Sequence, residues 1–152
     1  MLPLNLWEHQ NAVKTLYSRC VERVCEKHDL TRMELDILLF LANNPLYDTA
    51  TEIVEIRYLS KSQVSSSVKT LEAKGYLRRE YAGGNRKTAH LKIHDDALAI
   101  IADGRAAQEK FVEVMFRGIS REEAELMQRC NERIHRNVDQ YLKEEMEECT
   151  SF

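Results

Sequence analysis

Two prolines and five glycines in 152 residues leave this chain with few helix breakers and few turn formers. That scarcity, beside abundant Leu, Glu, Lys, Arg and Ala, argues against an all-β or disordered chain and for ordered helix. The four cysteines, Cys20, Cys25, Cys130 and Cys149, include no C-x-x-C pair, which excludes a zinc ribbon and a disulfide framework and leaves reduced thiols. No window approaches the roughly 18 apolar residues of a membrane span. The apolar start, Met1 to Trp7, is too short for a secretion signal. The expectation is a soluble, cytoplasmic protein with no membrane contact. Also absent are a phosphate-cradling glycine loop, a His-Glu-x-x-His helix and a nucleophile elbow, so no catalytic residue and no enzymatic activity is expected. Cys25 and His28, at i and i+3, supply only two ligands, and the other histidines are scattered, so neither a metal nor a cofactor is expected.

What the chain does have is a charge pattern hidden by its net value of −3. Between Arg57 and Lys92 stand nine basic residues (Arg57, Lys61, Lys69, Lys74, Arg78, Arg79, Arg86, Lys87, Lys92) against two acidic ones, Glu72 and Glu80, a local excess of +7. The remainder carries −10, with Glu144, Glu145, Glu147 and Glu148 crowded at the end. One basic face on an otherwise acidic protein suits an approach to phosphates.

The apolar spacing resolves into helices. Leu6, Val13, Leu16, Tyr17, Cys20, Val21 and Val24 recur at three and four from about Leu6 to Lys27, the stripe of a long amphipathic helix. Four capping boxes follow, each a Ser or Thr with Glu or Gln three residues on: Thr31 with Glu34, Thr49 with Glu52, Ser60 with Gln63, and Ser120 with Glu123. They open helices through Leu41, to near Tyr58, to Lys74 with Gly75 as left-handed cap, and over the last part of the chain. After Gly75 the period turns toward two: Tyr76 to Tyr81 and Thr88 to Ile93 read as strands joined by Ala82-Gly83-Gly84-Asn85, a β-hairpin. Asp95 or Asp96 can cap a further long helix through Val114.

The expected fold is therefore mainly α with a small hairpin wing: a winged helix-turn-helix over residues 30–94, flanked by helical regions 5–28 and 95–148, in one domain of 1–152. On the helix 61–74, Val64, Val68 and Leu71 fall in one arc, Ser62, Ser66 and Lys69 in the opposite one, with no acid before Glu72. Gln63 and Lys69 can hydrogen-bond base edges, Gln to adenine and Lys to guanine, while Ser62, Ser65 and Ser66 reach a base or a phosphate. Thr49, Thr51 and Lys61 are placed as phosphate contacts. Arg86 and Lys87, in the wing 82–88, reach the adjacent minor groove. The competing reading is a winged-helix module for protein contacts, which has no need to gather cations on this helix and wing.

These residues resemble a known family. Leu30-Thr31 with Glu34, Thr49-Ala50-Thr51-Glu52-Ile53, Leu59-Ser60-Lys61-Ser62-Gln63-Val64-Ser65, Leu71-Glu72-Ala73-Lys74-Gly75-Tyr76-Leu77 and Ile119-Ser120-Arg121-Glu122-Glu123 are similar to the MarR (multiple-antibiotic-resistance regulator) family over nearly the whole chain. The resemblance implies a homodimer whose terminal helices intertwine. Two reading heads would then meet a pseudo-palindromic double-stranded DNA site as a repressor, with a possible small-molecule effector or an oxidant sensed at Cys20 or Cys25. The chain departs from the family in Asn85-Arg86-Lys87 where the wing usually carries Asp-x-Arg, in His94 for Thr, and in Ser66 at a position often held by Arg.

Overall fold

A computed structural model describes residues 6–81, 83–84 and 87–150, the side chains of 6–7 and 146–150 excepted. Ala82, Asn85 and Arg86, and the side chains of Trp7 and Cys149, lie outside the described residues. Six helices and one hairpin run in the order α1 (Leu6–His28), α2 (Arg32–Asn43), α3 (Ala50–Arg57), α4 (Lys61–Ala73), β1 (Leu77–Tyr81), β2 (Ala89–Ile93), α5 (Leu98–Met115) and α6 (Arg121–Thr150), with a single 3₁₀ turn Asp95–Ala97 before α5. The chain divides into two compact units, one ending at Val112 and the other beginning at Glu113.

The first unit is built around α2. Its sequence is apolar nearly all round, and Leu35, Ile37, Leu38, Leu39, Phe40 and Leu41 are all buried, so α2 is the central helix on which the others pack. Val21 and Val24 of α1, Ile53 of α3, Val64, Val68 and Leu71 of α4, Leu77 and Leu91 of the hairpin and Ile100 and Ile101 of α5 complete one core. Gly104 of α5 lies against α2: a Cβ there would stand 2.8 Å from Leu39 Cδ2.

Capping chemistry sets most of the boundaries. Thr31 and Thr49 each close a complete capping box with Glu34 and Glu52. In the second unit Ser120 does the same with Glu123, whose carboxylate accepts the Ser120 amide at 2.7 Å. The third box does not form: Ser60 makes no side-chain cap bond, and its hydroxyl pairs with Ser62 Oγ at 2.8 Å. The start of α4 is held instead by Val64 buried under its first turn and by the Val64 amide donating to the Ser60 carbonyl. Nor do Asp95 and Asp96 cap α5. They form the 3₁₀ turn, where the His94 ring accepts the Asp96 amide. Gly75 ends α4 at φ +78°, its amide donating to the Glu72 carbonyl and the Tyr76 amide to the Leu71 carbonyl, the paired bonds of a left-handed helix stop.

The hairpin is antiparallel, with Leu77 opposite Ile93 and Tyr81 opposite Ala89. It is not free-standing: Thr49 forms an isolated antiparallel bridge with His90, so the entry to α3 serves as a short third strand. The second unit is dominated by the 30 residues of α6. Leu126, Ile134, Val138, Tyr141 and Leu142 on it are each more than half exposed. No helix among the described residues is long and apolar enough to cross a membrane.

Candidate nucleic-acid interface

The apolar arc of α4 turns inward as its spacing requires. Val64 and Val68 are 1% exposed and Leu71 is fully buried, which aims the opposite arc at solvent. There Ser62, Gln63, Ser66 and Lys69 are exposed and Ser65 is half-buried, so the five lie on one outward face of α4 and its flank. Lys61 and Ser65 line a cavity of about 340 Å³ with Ala50, Thr51 and Val54, at the junction of α3 and α4. Thr51 is exposed in the first turn of α3, whereas the Thr49 hydroxyl is occupied by the cap, donating to Glu52 Oε2 at 2.8 Å and accepting the Glu52 amide. Tyr58 closes the turn between α3 and α4 in a left-handed conformation with φ 52°, unusual for an aromatic residue, and exposes most of its ring. Lys87 is exposed in the wing; Arg86 lies outside the described residues.

The basic segment is narrower in space than along the chain. Lys74 turns away from the outer face, donating to the Asp29 carbonyl and lying 3.5 Å from the buried Glu34 carboxylate at the α1–α2 junction. Arg79 pairs with Glu72 at 2.8 Å, Arg78 with Glu80 at 3.0 Å and Lys92 with Asp48 at 2.6 Å. Among the described residues at least four of the nine cations are thus matched by carboxylates, and three of those acceptors, Asp29, Glu34 and Asp48, lie outside the segment in which the charge was counted. Arg57, Lys61 and Lys69 form no ion pair among the described residues. Two of them, Lys61 and Lys69, sit on α4 itself.

Sequence reasoning missed the group that holds the wing. Asp48 accepts a hydrogen bond from Lys92 Nζ on one oxygen and contacts His90 Nδ1 at 2.6 Å on the other. The bond from Lys92, reinforced by that from His90, holds the Asp48 carboxyl below the usual carboxylate range. An ionised carboxylate only accepts, so His90 Nδ1 carries the proton in this contact. The available signal was the Pro45–Asp48 turn ahead of a capped helix, but nothing local ties it to residues 42 and 44 positions later.

On the other side of the lobe, α1, α2 and α5 are joined by polar contacts around Tyr17. Its hydroxyl donates to Asp36 and accepts from Gln108, its ring meets Phe111 edge-on at 5.2 Å, and the Arg32 guanidinium stacks over it at 4.2 Å. Burial pushes the Tyr17 hydroxyl above its ordinary value, and burial likewise raises the Cys25 thiol, the opposite of the activation a peroxide-sensing thiolate needs.

Two helices joined by a tight turn, the second facing outward with hydroxyl, amide and ammonium groups and followed at once by an anchored hairpin, define a winged helix-turn-helix protein. Residues 28–87 match the family model of the MarR family. The HTH-type transcriptional regulator PecS of Dickeya dadantii is 30% identical over 91 residues, 59% of this chain, and the match spans 55% of that regulator's length. Among solved structures, a Listeria monocytogenes protein assigned to the MarR family and complexed with 26mer DNA superposes with a TM-score of 0.80 at 17% identity, over 93% of each chain. The S. aureus MepR–DNA complex superposes at 0.74 and 14% identity, over 89% of this chain and 96% of MepR. These similarities establish a MarR-type fold.

Proposed function

We propose that this protein is a homodimeric transcriptional regulator. The outer face of α4 (Ser62, Gln63, Ser65, Ser66, Lys69) would read base edges in the major groove. Thr51 and Lys61 would hold phosphates, with Arg86 and Lys87 reaching the neighbouring minor groove; the Thr49 hydroxyl, expected to join them, is spent on the α3 cap. The observation that carries the reading is the outer face of α4, exposed and free of acid over its first three turns, with Lys61 and Lys69 uncompensated among the described residues. A solvated helix face ordinarily mixes the signs of its charges; this one leaves donors and cations available to a polyanion. The regulator named among the relatives and the DNA in the two superposed complexes favour the same assignment.

Dimerisation is supported by α6. Five large apolar side chains, each more than half exposed on one helix, form a stripe too extensive for a lone protomer in water. A second copy covering that stripe brings two reading heads to half-sites about 10 bp, or a multiple of that, apart. Repression by occlusion of a promoter site follows the family. So does response to a small effector.

Binding of the purified protein to duplex DNA flanking its own gene, measured against salt, tests the reading. Retention with log K falling steeply against log salt, and a shallower slope in Lys69→Ala/Arg86→Ala, is the expected result. If neither that fragment nor a random-sequence duplex pool is retained at low salt, the DNA-binding reading fails and a protein-contact module takes its place.

A further inference from the structure

A winged helix-turn-helix meets DNA in two grooves at once only if the hairpin keeps a fixed angle to the recognition helix. A two-stranded hairpin is marginally stable alone, so something outside it must set that angle. In this chain the contacts converge on Asp48, the residue before the α3 N-cap. Its amide donates to Glu52 Oε2 at 3.0 Å, which ties it to the first turn of α3. Its carbonyl accepts the Leu91 amide at 2.6 Å, from the middle of β2. Its carboxylate takes His90 Nδ1 on one oxygen and Lys92 Nζ on the other, both at 2.6 Å. Leu91 between them is buried in the core, so His90 and Lys92 lie on the same side of the strand and are gripped by one two-oxygen group. The other strand is held separately, Arg79 of β1 to Glu72 of α4 at 2.8 Å.

We propose that Asp48 is a positioning residue for DNA binding: it touches no nucleic acid, and it fixes the wing against α3 and α4 so that the wing tip and the outer face of α4 engage adjoining grooves together. This assignment rests on the DNA-binding reading above. Charge-assisted hydrogen bonds from both a lysine and a histidine make the grip stiffer than a neutral side chain of the same shape would. With Asn at this position the carboxylate charge is lost and one oxygen becomes an amide donor, which meets the ammonium head-on or forces His90 into its other tautomer, and the grip weakens. The backbone bond to Leu91 can still form, so the hairpin persists but parts from α3 more often and its angle loosens.

The test uses the full chain with Asp48→Asn and, as an independent break of the same contact, Lys92→Met. Without DNA, amide hydrogen exchange over residues 89–93 is expected to speed up about tenfold in both variants while the amides of α4 stay as slow as in the wild type. Unchanged exchange overturns the assignment. On a duplex that the wild type retains, both variants are expected to bind about tenfold more weakly. They should also lose backbone protection at the outer, minor-groove edges of the footprint while keeping it at the centre. The penalty should disappear when Asp48→Asn is combined with Arg86→Ala/Lys87→Ala, because a wing tip that makes no contact gains nothing from being aimed. Equal penalties with and without the wing-tip residues, or protection lost evenly across the footprint, make Asp48 a stabilising residue only and overturn the proposal. A wild type that retains no duplex sinks the DNA-binding reading and this assignment together, whereas a wild type and an Asp48→Asn variant that bind alike sink the assignment alone.

Discussion

Lysine at position 74 illustrates how a residue's role depends on what its side chain can reach. By composition it belongs to the basic segment; in the fold its ammonium closes the α1–α2 junction over the buried Glu34 carboxylate, which also accepts the Thr31 amide. Cys25 is similar: the Arg32 guanidinium favours its thiolate, but burial dominates and raises the thiol. Gly104 is the residue whose side chain matters by its absence. A methyl there would meet Leu39 at 2.8, 3.0 and 3.2 Å, and Leu39 is 1% exposed. Alanine gains roughly 1 kcal/mol of helix propensity over glycine, but overpacking a filled core costs about 1–3 kcal/mol. Gly104→Ala is therefore expected to lower stability by up to about 2 kcal/mol in urea unfolding, and a raised midpoint would show that α5 can shift off α2.

Among the elements, the helix starts separate what pattern matching finds from what geometry uses. Four Ser/Thr-x-x-Glu/Gln signals occur, and three become reciprocal caps at Thr31, Thr49 and Ser120. Ser60 has the same pattern but donates to or accepts from Ser62 instead. Removing a working cap costs about 1 kcal/mol. Thr31→Ala and Thr49→Ala are expected to lose that much in denaturant titrations, while Ser60→Ala changes stability by no more than a few tenths. A Ser60→Ala loss as large as that of Thr49→Ala would mean that the hydroxyl caps α4 in solution. The element types and their order were legible because each depends on residues three or four apart, or on alternation within one strand. The cap of the turn before α5 was not legible, since a histidine ring accepting an amide two residues on follows no simple spacing rule.

For the whole molecule, the exposed stripe of α6 is the surface on which the proposed homodimer is tested. Ile134→Glu/Val138→Glu places two carboxylates in its centre. Sedimentation is expected to show the wild type at twice its 17.7 kDa chain mass and the variant at the monomer mass. DNA affinity should fall by about a hundredfold, as one reading head loses the effective concentration its partner supplied. A variant that still sediments as a dimer would place the interface elsewhere. Sequence by itself determined the helix-rich class, the hairpin after Gly75, the inward arc of Val64, Val68 and Leu71, and hence the outward face of α4, because these follow from local periodicity and glycine's conformational range. Tertiary structure alone decided which cations remain available, since Lys74, Arg79 and Lys92 meet their carboxylates through contacts 7 to 45 residues apart. It also placed Asp48 under the wing, because a long-range ion pair leaves no periodic trace in the chain and exists only once the core has brought its two ends together.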